Sequence, residues 1–350
     1  MPEGDAVRRL ADTFEEVFVG HRLQVTSPQG RFASSATTLD GWVLSAARVV
    51  GKHMFLGFTP PSSVKDSIDE GGANTPQIAT DISVIDHWVH IHLGLYGWWR
   101  FNGDSSVMDE GHGVVHRVGP KDSHRAERWG TGPLNPADGD NVAPVASGVP
   151  AETHGDEQWD APDPIGQVRL RLLADHAVAD LAGPNTCALI TTEERLAVEK
   201  RLGPDPLAPG ARDNAEMRSR FIANMRGRKR AIGELIMDQS LIAGVGNIYR
   251  ADALFLAGIS PLRIGSRISE KRLGELWGLI CDLMNRGLAA GYLITMDPEE
   301  APQPPIDGDE EASRWYVYHR TGRPCLRCGT AISEKQMQGR RLFWCSNCQR

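Results

Sequence analysis

The sequence predicts an α+β protein in three parts: an N-terminal antiparallel sheet domain, a helical domain and a C-terminal Cys₄ zinc ribbon. Up to about Thr191 the apolar residues fall in short alternating runs, and from Thr192 onward they recur at helical spacing. Four of the six cysteines then crowd into the last 26 of 350 residues. Alternation is the period of half-buried strands, whereas i, i+3, i+4 spacing is that of an amphipathic helix.

A first helix is expected from Gly4 to Phe18. Strands follow in RLQVTS, WVLSAARVV, HMFLGF, SVIDHWVHIHL, GWWRF and QVRLRLLA. The clearest helix begins after Ser269, whose hydroxyl suits an N-cap; Leu273, Leu276, Trp277, Ile280, Leu283, Met284 and Leu288 form its apolar face. This places the sheet domain at 1–191, the helical domain at 192–296, an acidic linker at 297–312 and the ribbon at 313–350. The most apolar stretch, Leu254 to Ile259, is far too short to span a membrane. The N-terminus lacks a basic-then-apolar signal pattern, so the expected location is the cytoplasm.

Net charge is −7, which at first argues against a polyanionic partner. The acids, however, are concentrated. Asp104 to Ile165 carries −8, Ser62 to Asp81 carries −3 and Asp297 to Glu311 carries −7, so the rest of the chain is about +11. The first two stretches, about 62–81 and 104–165, read as acidic insertions too poor in apolar residues to fold by themselves. Basic residues gather instead between Arg212 and Arg230, where there are seven, and from Ser313 to Arg350, where there are eight. Such clusters suit phosphate contacts, or else a solvated helix face.

Cys325 and Cys328 stand two residues apart, and Cys345 and Cys348 repeat that spacing after 16 residues. Two such knuckles close a tetrahedral site, and four thiolates leave no position open for water, so one structural Zn²⁺ is expected. A reducing compartment disfavours the alternative of two disulfides. The remaining cysteines, Cys187 and Cys281, read as core. Between the knuckles, a hairpin displays Gln336, Gln338, Gly339, Arg340 and Arg341. Further upstream, the turn Gly244 to Gly246 precedes a helix starting at Asn247; its backbone N–H groups suit an anion, though a plain interhelical turn has the same composition. His90 and His92 share a strand face, but with no third ligand evident they read as packing.

The N-terminal PEG, the segment QSLIAGVGNIYRADALF and the Cys₄ ribbon, in that order, resemble the formamidopyrimidine-DNA glycosylase and endonuclease VIII family. SPQGRF, GKHMF and HLGLYG are similar to its actinobacterial endonuclease VIII branch. The resemblance implies an N-terminal antiparallel β-sandwich with flanking helices, a helix-two-turn-helix domain and a zinc finger. It implies a bifunctional DNA glycosylase and abasic-site lyase that excises oxidised bases, pyrimidines in this branch, and cleaves the strand by β,δ-elimination. The expected partner is double-stranded DNA carrying oxidised bases or abasic sites, bound by a monomer.

The resemblance also assigns roles. After loss of Met1, Pro2 is the nucleophile, and an α-amino group, titrating near pH ~8, suits attack at neutral pH better than a lysine at ~10.4. Glu3 is the proton donor. Lys52 joins these two as a catalytic residue that also grips phosphate, with Asn247 and Arg340 as further phosphate contacts. Leu95 and Tyr96 fill the space vacated by the flipped nucleotide, with strand-end core as the alternative by residue type. The chain departs from the family at two places: Asp5 precedes Ala6 where glutamate is common at the sixth position, and Asp252 stands where relatives often carry glutamate. The alternative is a non-catalytic, zinc-dependent DNA- or RNA-binding protein. It would need the ribbon and the turn but gives no reason for Pro2 and Glu3.

Overall fold

The computed structural model describes residues 2–63, 85–104, 116–118 and 159–350. Most of the two insertions expected at 62–81 and 104–165 therefore lies outside the described residues. The chain forms two compact units. One takes Leu10–Val49 and His53–Arg195, and the other takes Pro2–Arg9, Val50–Lys52 and Leu196–Arg350. The first residues of the chain and the turn at Lys52 thus belong with the helical unit.

Helix α1 (Gly4–Val17) starts in the helical unit and ends in the sheet unit. The sheet unit continues with β1 (Gln24–Thr26), α2 (Ala33–Leu39), β2 (Val43–Val50), β3 (His53–Thr59), β4 (His87–His92), β5 (Trp98–Gly103), β6 (His116–Val118), β7 (Val168–Leu173), β8 (Ala177–Ala182) and β9 (Thr186–Ile190). These strands build the two sheets of the expected sandwich, one in the order β2-β3-β4-β9 and the other β1-β7-β8-β5-β6. Antiparallel pairing runs through both, as in Phe55 opposite His90 and Phe101 opposite Ala179. Strand β8 is buried at all six positions, because both of its faces are covered. Against β5, Phe14 of α1 packs edge-on to Trp99 and Phe101, at 4.8 and 5.3 Å between ring centroids. Helix α2 is not among the expected elements. Its sequence, ASSATTL, carries only Ala36 and Leu39 as buried contacts, too few to register as a helical period.

Helix α3 (Thr192–Lys200) crosses between the units, and the helical unit then holds α4 (Ala215–Arg226), α5 (Ile232–Leu235), α6 (Asn247–Leu256) and α7 (Glu270–Ala290). As expected, Ser269 caps α7, accepting from the Arg272 N–H at 3.4 Å, and all of its apolar face is buried except Leu288, which is half-buried. Gly291 ends the helix in the left-handed region, φ 77°.

The ribbon hairpin, β10 (Ser333–Met337) and β11 (Arg340–Trp344), is not a separate body. One core runs from Phe221, Tyr249 and Trp277 through Trp315 and Val317 to Cys325, Phe343 and Cys345. Within the acidic 297–312 segment, buried Asp309 accepts from the buried Arg320 guanidinium through both oxygens, the shortest contact being 2.8 Å. That segment is thereby fastened to the ribbon.

Candidate active site and zinc ribbon

Gly4 donates its N–H to the Gly244 carbonyl at 2.9 Å, which lays the start of the chain along the 244–246 turn. Pro2, Glu3, Gly4 and Asp5 are all buried there. The Glu3 carboxylate reaches the first turn of α6, where Oε2 accepts from the Gly246 N–H at 2.8 Å and Oε1 from the Ile248 N–H at 2.9 Å. Such N–H groups have no acceptor within the helix, and they lie at its positive end. The turn is therefore an anion site, but its occupant is the chain's own carboxylate rather than a phosphate.

Lys52 enters from the opposite side of the same peptide. It sits in the two-residue turn between β2 and β3, where Gly51 has φ +60° at the first central position, as a type II′ hairpin requires. Its Nζ donates to the Val245 carbonyl at 2.8 Å. Lys52 thus holds the C=O end, and Glu3 the N–H end, of the Val245–Gly246 peptide group. The turn itself is anchored by buried Asp205, which accepts from the Gly51 N–H at 2.7 Å and from the Leu207 N–H at 2.9 Å.

Burial shifts both charges. It pushes the Glu3 carboxyl above its ordinary range, against the opposing pull of Lys52 and the Ile248 N–H. It brings the Lys52 ammonium down to about 8, with Glu3 resisting and Arg340 adding to the fall. Glu3 is accordingly a better proton donor than a solvated glutamate, and Lys52 keeps its charge at neutral pH but loses it in mild alkali.

Asn247 opens α6 and meets the ribbon. Its Nδ2 donates to the Arg341 carbonyl at 2.9 Å, and its Oδ1 accepts from Arg250. Arg340 and Arg341 follow a turn in which Gln338 and Gly339 both have positive φ, 51° and 71°, the pattern of a type I′ hairpin. The Arg341 guanidinium pairs with Glu334 across the hairpin at 2.7 Å, whereas Arg340 lies near enough to lower the pKa of both Lys52 and Arg250. Pro2, Glu3, Lys52, Asn247 and Arg340 therefore belong to one compact unit. Leu95 and Tyr96 belong to the sheet unit, between β4 and β5, and their exposures of 49% and 79% exclude the core reading.

The two departures from the family pattern have structural accounts. Asp5 is fully buried, and Oδ2 accepts from Arg9 at 2.8 Å while Arg9 also donates to the Gly287 carbonyl. Only glycine fits at 287, because a Cβ there would lie 2.3 Å from the Tyr249 hydroxyl. Asp252 collects the N–H groups of Tyr316, Val317 and Tyr318 together with the Thr295 hydroxyl. It fastens the segment leading into the ribbon to α6.

The four ribbon sulfurs lie within 4.8 Å of one another, with Cys328 to Cys345 at 3.5 Å and Cys325 to Cys348 at 3.9 Å. A tetrahedral ion with Zn–S bonds of about 2.3 Å sets its sulfurs roughly 3.8 Å apart. The cysteines are unbridged, so the cluster fits one structural zinc. Among the described residues it is the one group suited to a metal.

Several residues escape sequence reasoning. His53 joins His90 and His92, its Nδ1 lying 2.9 Å from His90 Nε2, but the three do not form a metal-binding group. Asp205, Arg9 and Arg250 had no pattern to mark them, apart from the Gly and Pro around Asp205. The basic run from Arg212 to Arg230 also proves partly neutralised, since Arg212 pairs with Asp282, Arg226 with Glu270, and Arg230 with Glu234 and Asp238.

Residues 202–297 match the formamidopyrimidine-DNA glycosylase H2TH domain, and residues 322–350 match the zinc finger found in FPG and IleRS. The chain is 34% identical over 349 residues to endonuclease 8 1 of Mycobacterium tuberculosis, covering 100% of both proteins. It is 37% identical over 163 residues to the formamidopyrimidine-DNA glycosylase of Desulfitobacterium hafniense, covering 46% of this chain and 57% of that protein. A similar fold is found in Lactococcus lactis Fpg complexed with N7-benzyl-Fapy-dG DNA, with TM-score 0.64 and 18% identity over 100% of both chains. The same protein in complex with abasic-site DNA gives 0.61 at 17% identity, covering 99% of both chains.

Proposed function

Since the chain belongs to the formamidopyrimidine-DNA glycosylase and endonuclease VIII family of DNA glycosylases and abasic-site lyases, we propose that it excises oxidised bases, pyrimidines foremost, from duplex DNA through a covalent bond to Pro2. The observation that carries this reading is the pair of buried groups that hold the two ends of the Val245–Gly246 peptide: a carboxyl directly after the proline, and the Lys52 ammonium beside it.

With Met1 removed, the Pro2 amine attacks C1′ of the damaged nucleotide, and the bond from C1′ to the base breaks as the base leaves with a proton. Glu3, its carboxyl raised by burial, protonates O4′ as the sugar ring opens to the iminium. Loss of the C2′ proton then expels the 3′ phosphate, and a second elimination expels the 5′ phosphate. Lys52, Asn247 and Arg340 grip the phosphates around the flipped nucleotide, and Leu95 and Tyr96 fill the gap in the stack. The zinc takes no part in these steps; it holds the hairpin that presents Arg340. The protein acts as a monomer on chromosomal DNA in the cytoplasm. Capping α6 would account for the Glu3 carboxyl without catalysis, but the non-catalytic alternative offers no reason for a proline directly before it.

Borohydride reduces an iminium in place, so incubation with a duplex containing an abasic site should leave protein covalently joined to DNA. Pro2→Gly should lose most of that adduct. Binding of such DNA by a chain that starts at Pro2, with no adduct trapped, would overturn the covalent mechanism.

A further inference from the structure

We infer that Arg250 is a positioning residue that decides which way the Asn247 carboxamide faces and couples it to the zinc-bound hairpin. The inference rests on the reading of Asn247 as a phosphate contact. Arg250 is fully buried in α6, yet its hydrogen bonds all go to neutral oxygens: the carbonyls of Gly233 at 3.3 Å and Arg341 at 3.0 Å, and Asn247 Oδ1. No carboxylate accepts a hydrogen bond from it, although Glu3 is near enough to favour its charge, and among the described residues its Nε has no hydrogen-bond partner; a buried cation held in this way is a costly arrangement. Simple packing would be served better by an apolar side chain.

The chemistry of its neighbours explains the charge. A guanidinium only donates, so the atom of Asn247 that faces it must be the oxygen. The Arg341 carbonyl only accepts, so the atom that faces it must be the NH₂, as the 2.9 Å contact from Nδ2 shows. Together they permit one amide orientation out of two. In that orientation every polar group of the carboxamide turned away from Arg250 is a donor, which suits an anion; the flipped amide would offer a phosphate its oxygen. The Arg341 carbonyl receives both Asn247 and Arg250, so the residue directly after Arg340 is fixed by the same contacts. Burial and Arg340 bring Arg250 down to about 10, which still leaves it charged at neutral pH.

The test has one arm with DNA and one without. In the zinc-loaded full chain, Arg250→Met should raise the Kd for a duplex carrying a reduced abasic site roughly tenfold, as Asn247→Ala should, and the double variant should bind no more weakly than either. Single-turnover cleavage of an abasic-site duplex at saturating DNA should stay within about threefold of wild type, because the groups that do the chemistry are untouched. In the free protein, the two ¹H resonances of the Asn247 side-chain amide should be displaced from those of a solvent-exposed asparagine, and Arg250→Met should move them toward the exposed values. Additive losses in the double variant, or an unchanged amide with unchanged Kd, would overturn the inference. Should Arg250→Met fail to fold, Arg250→Lys, which keeps the charge but cannot span both oxygens, must still weaken binding several-fold, and full affinity there would be equally fatal. If Asn247→Ala binds as well as wild type, the phosphate role of Asn247 fails, while the amide resonances still judge what Arg250 does.

Discussion

A side chain at Gly246 would occupy the place of the Glu3 carboxyl: a Cβ built there lies 2.3 Å from Glu3 Cδ. The absence of a side chain at 246 therefore lets a carboxyl from the chain's start cap the helix that begins at 247. Gly246→Ala should expel Glu3 and abolish base excision while leaving one zinc per chain. Folded, zinc-loaded Gly246→Ala with wild-type excision would show that Glu3 does not work from this position.

Lys52 gives the reaction an alkaline limit. Its ammonium, at about 8 in the folded protein against 10.5 for an ordinary lysine, loses its charge first in the folded state. Above about 8 the phosphate grip should weaken, so kcat/KM, which reports free-enzyme groups, should fall there. Between those two values the unfolded chain binds more protons, so this group's contribution to stability rises with pH even as activity falls. Lys52→Met should remove the alkaline limb along with most of the activity. A limb that persists in that variant belongs to another group.

Asp252 satisfies four donors, three of them backbone N–H groups at the entry to the ribbon. Asn in its place turns an NH₂ toward some of those donors, which should lower stability by about 2–4 kcal/mol. Denaturant unfolding measures this directly, and a loss under about 0.5 kcal/mol would mean that the segment is held by other contacts.

Zinc removal should reach beyond the ribbon, because Cys325 and Cys345 belong to the same core as Trp277 and Tyr249. Chelation, or Cys328→Ser, should lower the melting temperature and abolish DNA binding together. Retention of full affinity after measured zinc loss would detach the hairpin from DNA recognition.

Arg340 flanks a rigid two-residue turn at the hairpin tip. Arg340→Ala should weaken binding and reduce the slope of log K against log salt by about one phosphate contact. An unchanged slope would remove Arg340 from the phosphate grip.

By itself the sequence determined what local spacing controls. The apolar run HMFLGF and the alternation of QVRLRLLA set β3 and β7, Ser269 and the apolar stripe behind it set α7, and the paired cysteines set the zinc site, because each depends on neighbours within a few residues. Pro2 and Glu3 could be singled out only by resemblance to a family. Tertiary structure decided which charge meets which group. Glu3 finds its N–H partners 243 and 245 residues further on, so the anion site written into the turn at 244–246 could not reveal that a carboxylate of the chain would occupy it. Arg250 reads as an ordinary helix cation, Asp252 as a shortened family glutamate and Asp205 as one acid among prolines. Their roles follow from burial, which obliges a polar group to find partners wherever packing brings them, and no local pattern encodes where that will be.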